Sequence, residues 1–145
     1  MDRMRHERSV GRLRGDVEIG CSNLDSSCRF YSMALGFRLI SKDADSAAFD
    51  GDGHRLILRP HGHLDSAGLR AKQTGISIEV ESLHDEFESL LAGGAEFSSR
   101  PCRQPWGSVM VNLFDPDRNR IMLVQRRSDV RDWRHAPRTG DALAA

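Results

Sequence analysis

The chain repeats itself, and this repeat constrains the fold more than any other feature of the sequence. Residues 17–24 align with residues 76–83, and apolar side chains alternate with polar ones in both octets. The segment FDGDGHRLIL at 49–58 matches FDPDRNRIML at 114–123, with Phe, Asp, Asp, Arg and Leu at identical spacing. Such a match rarely arises by chance, so we predict two copies of one supersecondary unit.

Each copy is predicted to run from a strand into a helix and to end in a hairpin. In the first copy Ser22 or Asn23 can cap a helix that Gly36 ends, and its apolar face comprises Leu24, Cys28, Tyr31 and Leu35. In the second copy Ser82 caps a helix that Gly93 and Gly94 end, and its apolar face comprises Leu83, Phe87, Leu90 and Leu91. The FDxD segments predict the hairpin turns.

The two copies differ in length near their ends. The offset between them is 59 residues at the start and 65 at the end, so the second copy carries a net insertion of six. Residues 100–107 are the obvious place for this insertion. Loops that diverge between duplicated halves are a reasonable place to look for function.

Length and charge suggest one domain between two basic ends. A chain of 145 residues can bury one core without disulfides or a structural metal. We assign 1–14 to a basic flexible arm, 15–125 to the domain and 126–145 to a basic tail; within the domain, unit one is about 16–60, a linker spans 61–74 and unit two is about 75–125. The segment 15–125 holds eleven basic and sixteen acidic residues, a net charge of −5.

The remaining composition argues against export, membrane insertion and nucleic-acid binding. No apolar run approaches the length that spans a bilayer, so we expect a soluble, cytoplasmic protein. Cys21, Cys28 and Cys102 lack CxxC spacing and are expected to be buried thiols. The arginine-rich ends, including Trp133, allow a regulatory or nucleic-acid-binding role, but no aromatic residue accompanies the arginines of the first fourteen positions.

Three motifs resemble the vicinal oxygen chelate superfamily, which includes glyoxalase I, the extradiol dioxygenases, the fosfomycin-modifying enzymes and the bleomycin-resistance proteins. The resemblance covers about residues 16–125. It rests on SNLDSS followed by FY and LGF at 22–37, on QPWG at 104–107, and on FDPDRN at 114–119, where Arg118 replaces the usual glycine. It implies an α+β fold in which two tandem βαβββ units form a curled mixed sheet around a cavity, with the helices outside.

The same resemblance locates the positions where metal-using relatives hold their ion. These positions fall on Asp16, Ile57, Gly75 and Met122, and only Asp16 has a good oxygen donor. His61 and His63 lie in the linker, where we expect a surface loop. We therefore expect no metal and no other cofactor, as in the bleomycin-resistance proteins, which bind drugs as dimers.

Strand alternation selects the side chains that face the predicted cavity. Val17, Ile19, Ile76 and Ile78 would point to the helices. The predicted ligand-binding residues are Asp16, Glu18, Phe49, Arg55, Glu79, Trp106, Met110 and Met122, with Arg59 and Arg120 nearby. Glu18 and Glu79 have the alternative of pairing with Arg55 or Arg120 across the strands.

Two functions fit these residues. The first is a homodimeric binding protein that sequesters a planar or cationic small molecule between Trp106 and the acidic inner strands. The second is a lyase or isomerase, metal-independent or with a non-standard metal site, that uses Asp16 or Glu18 as general base. No Ser-His-Asp, Cys-His or phosphate-loop pattern supports catalysis, so we favour the binding protein and expect no membrane or nucleic-acid partner.

Overall fold

A computed structural model describes residues 9–60 and 73–125 of the chain. Twelve elements follow one another within these ranges. Unit one, with the short strand that precedes it, comprises β1 (Arg12–Leu13), β2 (Val17–Cys21), α1 (Leu24–Arg29, continued as a π-helical turn over Phe30–Ala34), β3 (Arg38–Lys42), β4 (Ala47–Asp50) and β5 (Arg55–Pro60). Unit two comprises β6 (Gln73–Val80), α2 (Leu83–Ala92), β7 (Glu96–Phe97), β8 (Cys102–Arg103), β9 (Val109–Phe114) and β10 (Arg120–Gln125).

The strands form two sheets, one for each predicted unit. Sheet one has the order β2-β5-β4-β3, and sheet two has the order β1-β6-β10-β9-β7 with β8 paired to β9. In each unit the first strand runs parallel to the last, β2 with β5 and β6 with β10, while the other pairs are antiparallel. The α+β class and the tandem βαβββ arrangement are thereby confirmed.

Both helices begin and end where the sequence indicates. The Asn23 side chain accepts a hydrogen bond from the Ser26 amide at 2.8 Å, and Ser82 does the same for the Asp85 amide at 3.4 Å. The chain turns after the first helix at Gly36, which has a φ of 76°. One detail differs, because Leu91 lies at the edge of the apolar stripe of α2 and is 42% exposed.

One hydrophobic core joins the two units. It contains the apolar faces of both helices and the strand residues that point toward them. Residues 76–80 alternate between buried and half-buried as predicted, whereas in 17–21 Gly20 is buried together with Ile19 and Cys21. Ile19, Ile76 and Ile78 are buried, while Val17 is half-buried and packs on the edge of the core. The three cysteines are free and buried, as expected.

The end of the predicted flexible arm belongs to the fold. β1 pairs antiparallel with β6, with Arg12 opposite Glu79 and Leu13 opposite Ile78. Leu13 is only 1% exposed, and its amide donates to the Gly51 carbonyl at 2.9 Å. Assigning residues 9–14 to a flexible arm was therefore wrong, since a buried leucine and a strand ladder hold the end of this segment in place.

The insertion in unit two forms an additional short strand. β8 pairs with β9, with Cys102 opposite Met110 and Arg103 opposite Val109, and the turn at 104–108 closes this hairpin. Unit two therefore has one strand more than unit one.

Several predictions lie outside the described residues. These are the linker over 61–72 with His61 and His63, the first eight residues, and the basic tail with Trp133. Within the described ranges, neither helix has the length and apolar character that crossing a bilayer requires.

Candidate functional site

The candidate site is the face of each sheet that points away from the helices, called here the open face. In sheet two the strand registers place its side chains in rows. The central row is Ser77, Met122 and Asn112, and the neighbouring rows contain Glu79, Val124 and Met110 on one side and Arg120 and Phe114 on the other. Met110, Asn112, Phe114 and Met122 are half-buried. Strand alternation alone had placed Met110, Met122 and Glu79 on this face.

The open face of sheet one is more highly charged. Its central row is Glu18, Ile57 and Ala48. The Arg59 guanidinium forms an ion pair with Glu18, and both side chains are about half exposed. Glu18 thus pairs within its own sheet, but with Arg59 rather than with Arg55 or Arg120. A carboxylate already held by a guanidinium is a poor candidate for a general base.

Asp16 anchors the start of β5. Its carboxylate accepts a hydrogen bond from the Arg55 amide at 2.9 Å and lies 3.3 Å from His54 Nδ1. The Arg55 amide, followed by the His54 side chain, holds the pKa of Asp16 below its ordinary value. This lowered pKa opposes a role as general base, because proton abstraction near neutral pH favours a raised carboxyl pKa.

Phe49 does not reach the open face. It is fully buried and contacts Tyr31 with ring centroids 6.2 Å apart, on the helix side of sheet one. Its repeat partner Phe114 lies on the open face instead, because Phe49 pairs with Leu56 whereas Phe114 pairs with Arg120. One extra residue in the second turn shifts the register by one position and so changes the face of the sheet. Phe49 is therefore removed from the predicted site.

Trp106 lies in the turn between β8 and β9 and is 61% exposed. The turn is closed by a hydrogen bond from the Gln104 amide to the Ser108 carbonyl at 2.7 Å. Gly107 has a φ of 105°, a conformation that suits glycine. Trp106 is therefore an exposed aromatic side chain in the turn that precedes β9, the strand that carries Met110.

The four positions that correspond to metal ligands in relatives do not make a donor set. Ile57 offers no donor, Met122 offers only a soft thioether, and Asp16 is engaged with Arg55 and His54. Gly75 lies where the β6–β10 register shifts, and its φ is 79°, so another residue type would be strained there. No group of three His, Cys, Asp or Glu side chains that could hold an ion occurs in the part of the chain that is described.

Two described depressions lie away from the central rows. One of about 470 Å³ is bordered by the segment 9–12, by Asp52 and Glu79, and by the start of α2. The other, of about 570 Å³, lies between the π-helical turn and α2. Only Glu79 among the predicted ligand residues borders either depression, so we place the candidate site on the open faces, where the half-buried side chains lie.

A polar cluster that the sequence reasoning missed joins the two units, with Tyr31 and Asp115 buried and Asp117 nearer the surface. Tyr31 is fully buried, and its hydroxyl donates to Asp115 at 2.8 Å. Asp117 accepts hydrogen bonds from the Ser22 amide, with both oxygens at 3.1 Å, and Asn119 donates to the Gly20 carbonyl at 3.3 Å. Burial, followed by the charge of Asp115, raises the pKa of Tyr31 well above its ordinary value. FDPDRN had been interpreted as a turn and as a family motif, although Asn119, which stands where the first copy has His54, was a usable signal.

A fold of two βαβββ units with open sheet faces defines a class of small-molecule-binding proteins and enzymes, and the family comparison agrees with it. The model of the glyoxalase/bleomycin resistance protein/dioxygenase superfamily matches residues 14–123. The chain belongs to this superfamily. A search of curated proteins finds no match.

Solved structures of similar fold include three with TM-scores above 0.6. A member of the same superfamily from Sphaerobacter thermophilus DSM 20745 has a TM-score of 0.68 at 22% identity, covering 77% of this chain and 95% of that one. TioX from Micromonospora sp. ML1 has a TM-score of 0.67 at 21% identity, covering 77% and 96%. TnmS3, an antibiotic-binding protein from Streptomyces sp. CB03234, has a TM-score of 0.64 at 20% identity, covering 74% and 90%. At these identities the likeness concerns the fold.

Proposed function

We propose that this protein binds a planar or cationic small molecule on its open faces and releases it unchanged, without a metal ion at the positions equivalent to Asp16, Ile57, Gly75 and Met122. The observation that carries the proposal is the donor chemistry of these four positions, which offer one engaged carboxylate and one thioether. The antibiotic-binding description of TnmS3, a structural neighbour, supports the same function.

The contacts of the two candidate bases favour binding over catalysis. Glu18 is paired with Arg59, and Asp16 holds the amide of Arg55. The half-buried Met110 and Met122 supply the adaptable apolar surface that binding sites for varied small molecules use.

We also propose a cytoplasmic homodimer, on the resemblance to the bleomycin-resistance proteins, and sedimentation velocity tests the dimer directly.

Metal analysis and a ligand screen test the proposal together. Purified protein is assayed for divalent ions and then screened by thermal shift against antibiotics, planar cations and oxo-acids. We expect less than stoichiometric metal and a concentration-dependent rise in melting temperature with at least one planar or cationic compound, since a ligand above its Kd stabilises the folded state by mass action.

The variant Trp106→Ala is expected to weaken binding of that compound, while the melting temperature of the ligand-free protein stays near wild type. Met33→Ala is the matched control, because Met33 is an exposed apolar side chain on the helix side, 75% accessible. A stoichiometric ion that chelation removes together with ligand binding, or turnover of the bound compound, would show that the proposal is wrong.

A further inference from the structure

The central rows of the two open faces differ in chemistry although they correspond in the repeat. Met122 of unit two aligns with Ile57 of unit one. Met122 lies between Ser77 and Asn112, whereas Ile57 lies between Glu18 and Ala48. Unit two therefore presents a thioether between two neutral polar side chains, and unit one presents an aliphatic side chain beside a carboxylate.

Charged side chains of unit one form ion pairs with one another. The ion pair of Arg59 and Glu18 lies beside Ile57, and Arg38 contacts Asp50 at 3.1 Å across the neighbouring strands. A cationic ligand that approached these carboxylates would have to displace guanidinium groups already in contact with them. The electrostatic gain from such an exchange is small, because one cation replaces another.

Ser77 adds a specific requirement to the face of unit two. Its Oγ is buried and has no hydrogen-bond partner among the described residues. A buried hydroxyl without a partner pays a desolvation cost. A ligand oxygen or nitrogen that reached this hydroxyl by displacing a neighbouring side chain would relieve that cost. Across Met122, the half-buried Asn112 carries both amide donors and a carbonyl acceptor.

The side chains around this row suit a flat, uncharged ring. Met110, Met122 and Phe114 are half-buried on the same face, and thioethers pack well against aromatic surfaces. At the rim, Arg118 lies 4.3 Å above the Phe114 ring and contacts Glu96 at 2.6 Å, so this positive charge is also compensated. The polar groups of the central row are neutral, and the flanking rows carry Glu79 on one side and Arg120 on the other, charges of opposite sign, so the face as a whole favours a neutral ligand over an ion.

We propose that the ligand binds on unit two over Met122 and is a planar, uncharged aromatic compound whose ring carries an oxygen or nitrogen that hydrogen-bonds with Ser77 and Asn112. This inference rests on the proposed binding function and narrows it to one sheet and one chemical class. Unit one then contributes to the fold, and unit two binds the ligand.

Matched tricyclic probes test the chemical class. Acridone and anthraquinone are neutral and carry ring carbonyls, whereas 10-methylacridinium and protonated proflavine are cations of similar size and shape. Titrations of the full chain by isothermal calorimetry are expected to give a Kd at least about tenfold lower for the better neutral probe than for the better cation. Tighter binding of the cations would overturn the inference while leaving the proposed binding function in place, and no binding by any probe would count against both.

Paired substitutions test the location. Met122→Ala is expected to weaken binding of the better neutral probe about tenfold, and Ile57→Ala, its repeat-matched control, less than about twofold. Equal effects, or a larger effect of Ile57→Ala, would overturn the assignment to unit two. Because Met122→Ala also leaves a gap beside its neighbours, Met122→Leu, which keeps the volume, is measured with it and is expected to retain most of the affinity.

Ser77→Ala separates ligand binding from folding. Removing a hydroxyl without a partner should leave the melting temperature of the ligand-free protein unchanged or slightly higher, while probe affinity falls about five- to tenfold. A purely structural role predicts the opposite, a lower melting temperature with unchanged affinity, and that result would remove Ser77 from the site.

Discussion

The two hairpin turns have the same sequence signature but different surroundings. In the first turn, residues 50–55, Asp50 accepts hydrogen bonds from the amides of Asp52 and Gly53 at 3.1 and 3.2 Å and contacts Arg38 at the surface. In the second turn, residues 114–120, Asp115 accepts from the amides of Asp117 and Asn119, both at 2.8 Å, and is only 4% exposed. The corresponding aspartate is therefore accessible to solvent in the first turn and buried in the second.

The difference comes from what lies next to each turn. The second turn contacts the β2–α1 junction of unit one through Gly20, Ser22 and Tyr31. At the first turn the Leu13 amide donates to the Gly51 carbonyl, so the strand before unit one takes up the contact. The repeat therefore determines the local turn, while the neighbouring segment determines how much the turn contributes to stability.

The largest expected difference between the turns concerns their first aspartates. Asp115→Ala should lower the free energy of unfolding by about 3 kcal/mol, because it leaves the buried Tyr31 hydroxyl and two turn amides without a hydrogen-bond acceptor. Asp50→Ala should lower the free energy of unfolding by about 1 kcal/mol or less, since water and other groups can replace the contacts of the Asp50 carboxylate. Urea unfolding followed by circular dichroism measures both variants.

Asp115→Asn serves as the intermediate case for this comparison. It keeps an oxygen acceptor for the amides and loses the charge that strengthens the hydrogen bond from Tyr31. The free energy of unfolding of Asp115→Asn should lie between those of Asp115→Ala and the wild type. Equal losses for the Asp50 and Asp115 variants would show that the two turns are energetically equivalent after all.

Local patterns in the sequence predict most of the fold. The spacing of apolar residues with Asn23, Gly36 and Ser82 gives both helices and their caps, because these signals act within a few residues. The alternation over 17–21 and 76–80 gives the buried face of each first strand. The strand β1 was missed because two residues show no periodicity, and Leu13 reveals its role only through a distant contact with Gly51.

The candidate site is predictable only in part. Alternation places Glu18, Glu79, Met110 and Met122 on the open faces, since it depends only on the pleat of the strand. It fails for Phe49, because its pairing with Leu56 places it on the helix side, whereas its repeat partner Phe114 pairs with Arg120 and lies on the open face. The pairing of Glu18 with Arg59 also depends on the β2–β5 register, which no short segment specifies.

A substitution at Gly51 is a second test of the difference between the two turns. A methyl group at this position would lie 2.3 Å from Leu13 Cδ1 and 2.9 Å from Leu13 Cβ, so Gly51→Ala must push the buried leucine and its strand away. We expect a loss of about 2 kcal/mol in the free energy of unfolding. Pro116→Ala is the repeat-matched control, because Pro116 is exposed, and it should change stability by less than about 0.5 kcal/mol.

The clash with Leu13 can be tested by relieving it. In the background Leu13→Ala, which shortens the offending side chain, Gly51→Ala should cost much less than in the wild type. Additive losses in the double variant would mean that Gly51 is required for a reason other than its contact with Leu13.

Tyr31→Phe is expected to have a smaller effect than Asp115→Ala or Gly51→Ala, because it removes one hydrogen bond from the second turn and leaves the aromatic packing in place. At pH 7 the loss should be about 1.5 kcal/mol, typical of a hydrogen bond to a charged group. Phe30→Leu, which alters a half-buried ring next to Tyr31 without touching Asp115, controls for changes in packing.

The pH dependence of Tyr31→Phe distinguishes the hydrogen bond from packing. The pKa of Tyr31 in the folded protein lies well above the ordinary value of 10.0, so the folded state retains a proton that the unfolded chain releases above about pH 10. The free energy of unfolding of the wild type should therefore fall as the pH rises past 10, and that of Tyr31→Phe should fall less steeply. Burial also raises the pKa of the Cys21 thiol to about 11, so Cys21→Ser should remove a separate decline between about pH 9 and 11. Parallel curves for wild type and Tyr31→Phe above pH 10 would mean that the phenol titrates normally, and that the second turn differs from the first only in its burial.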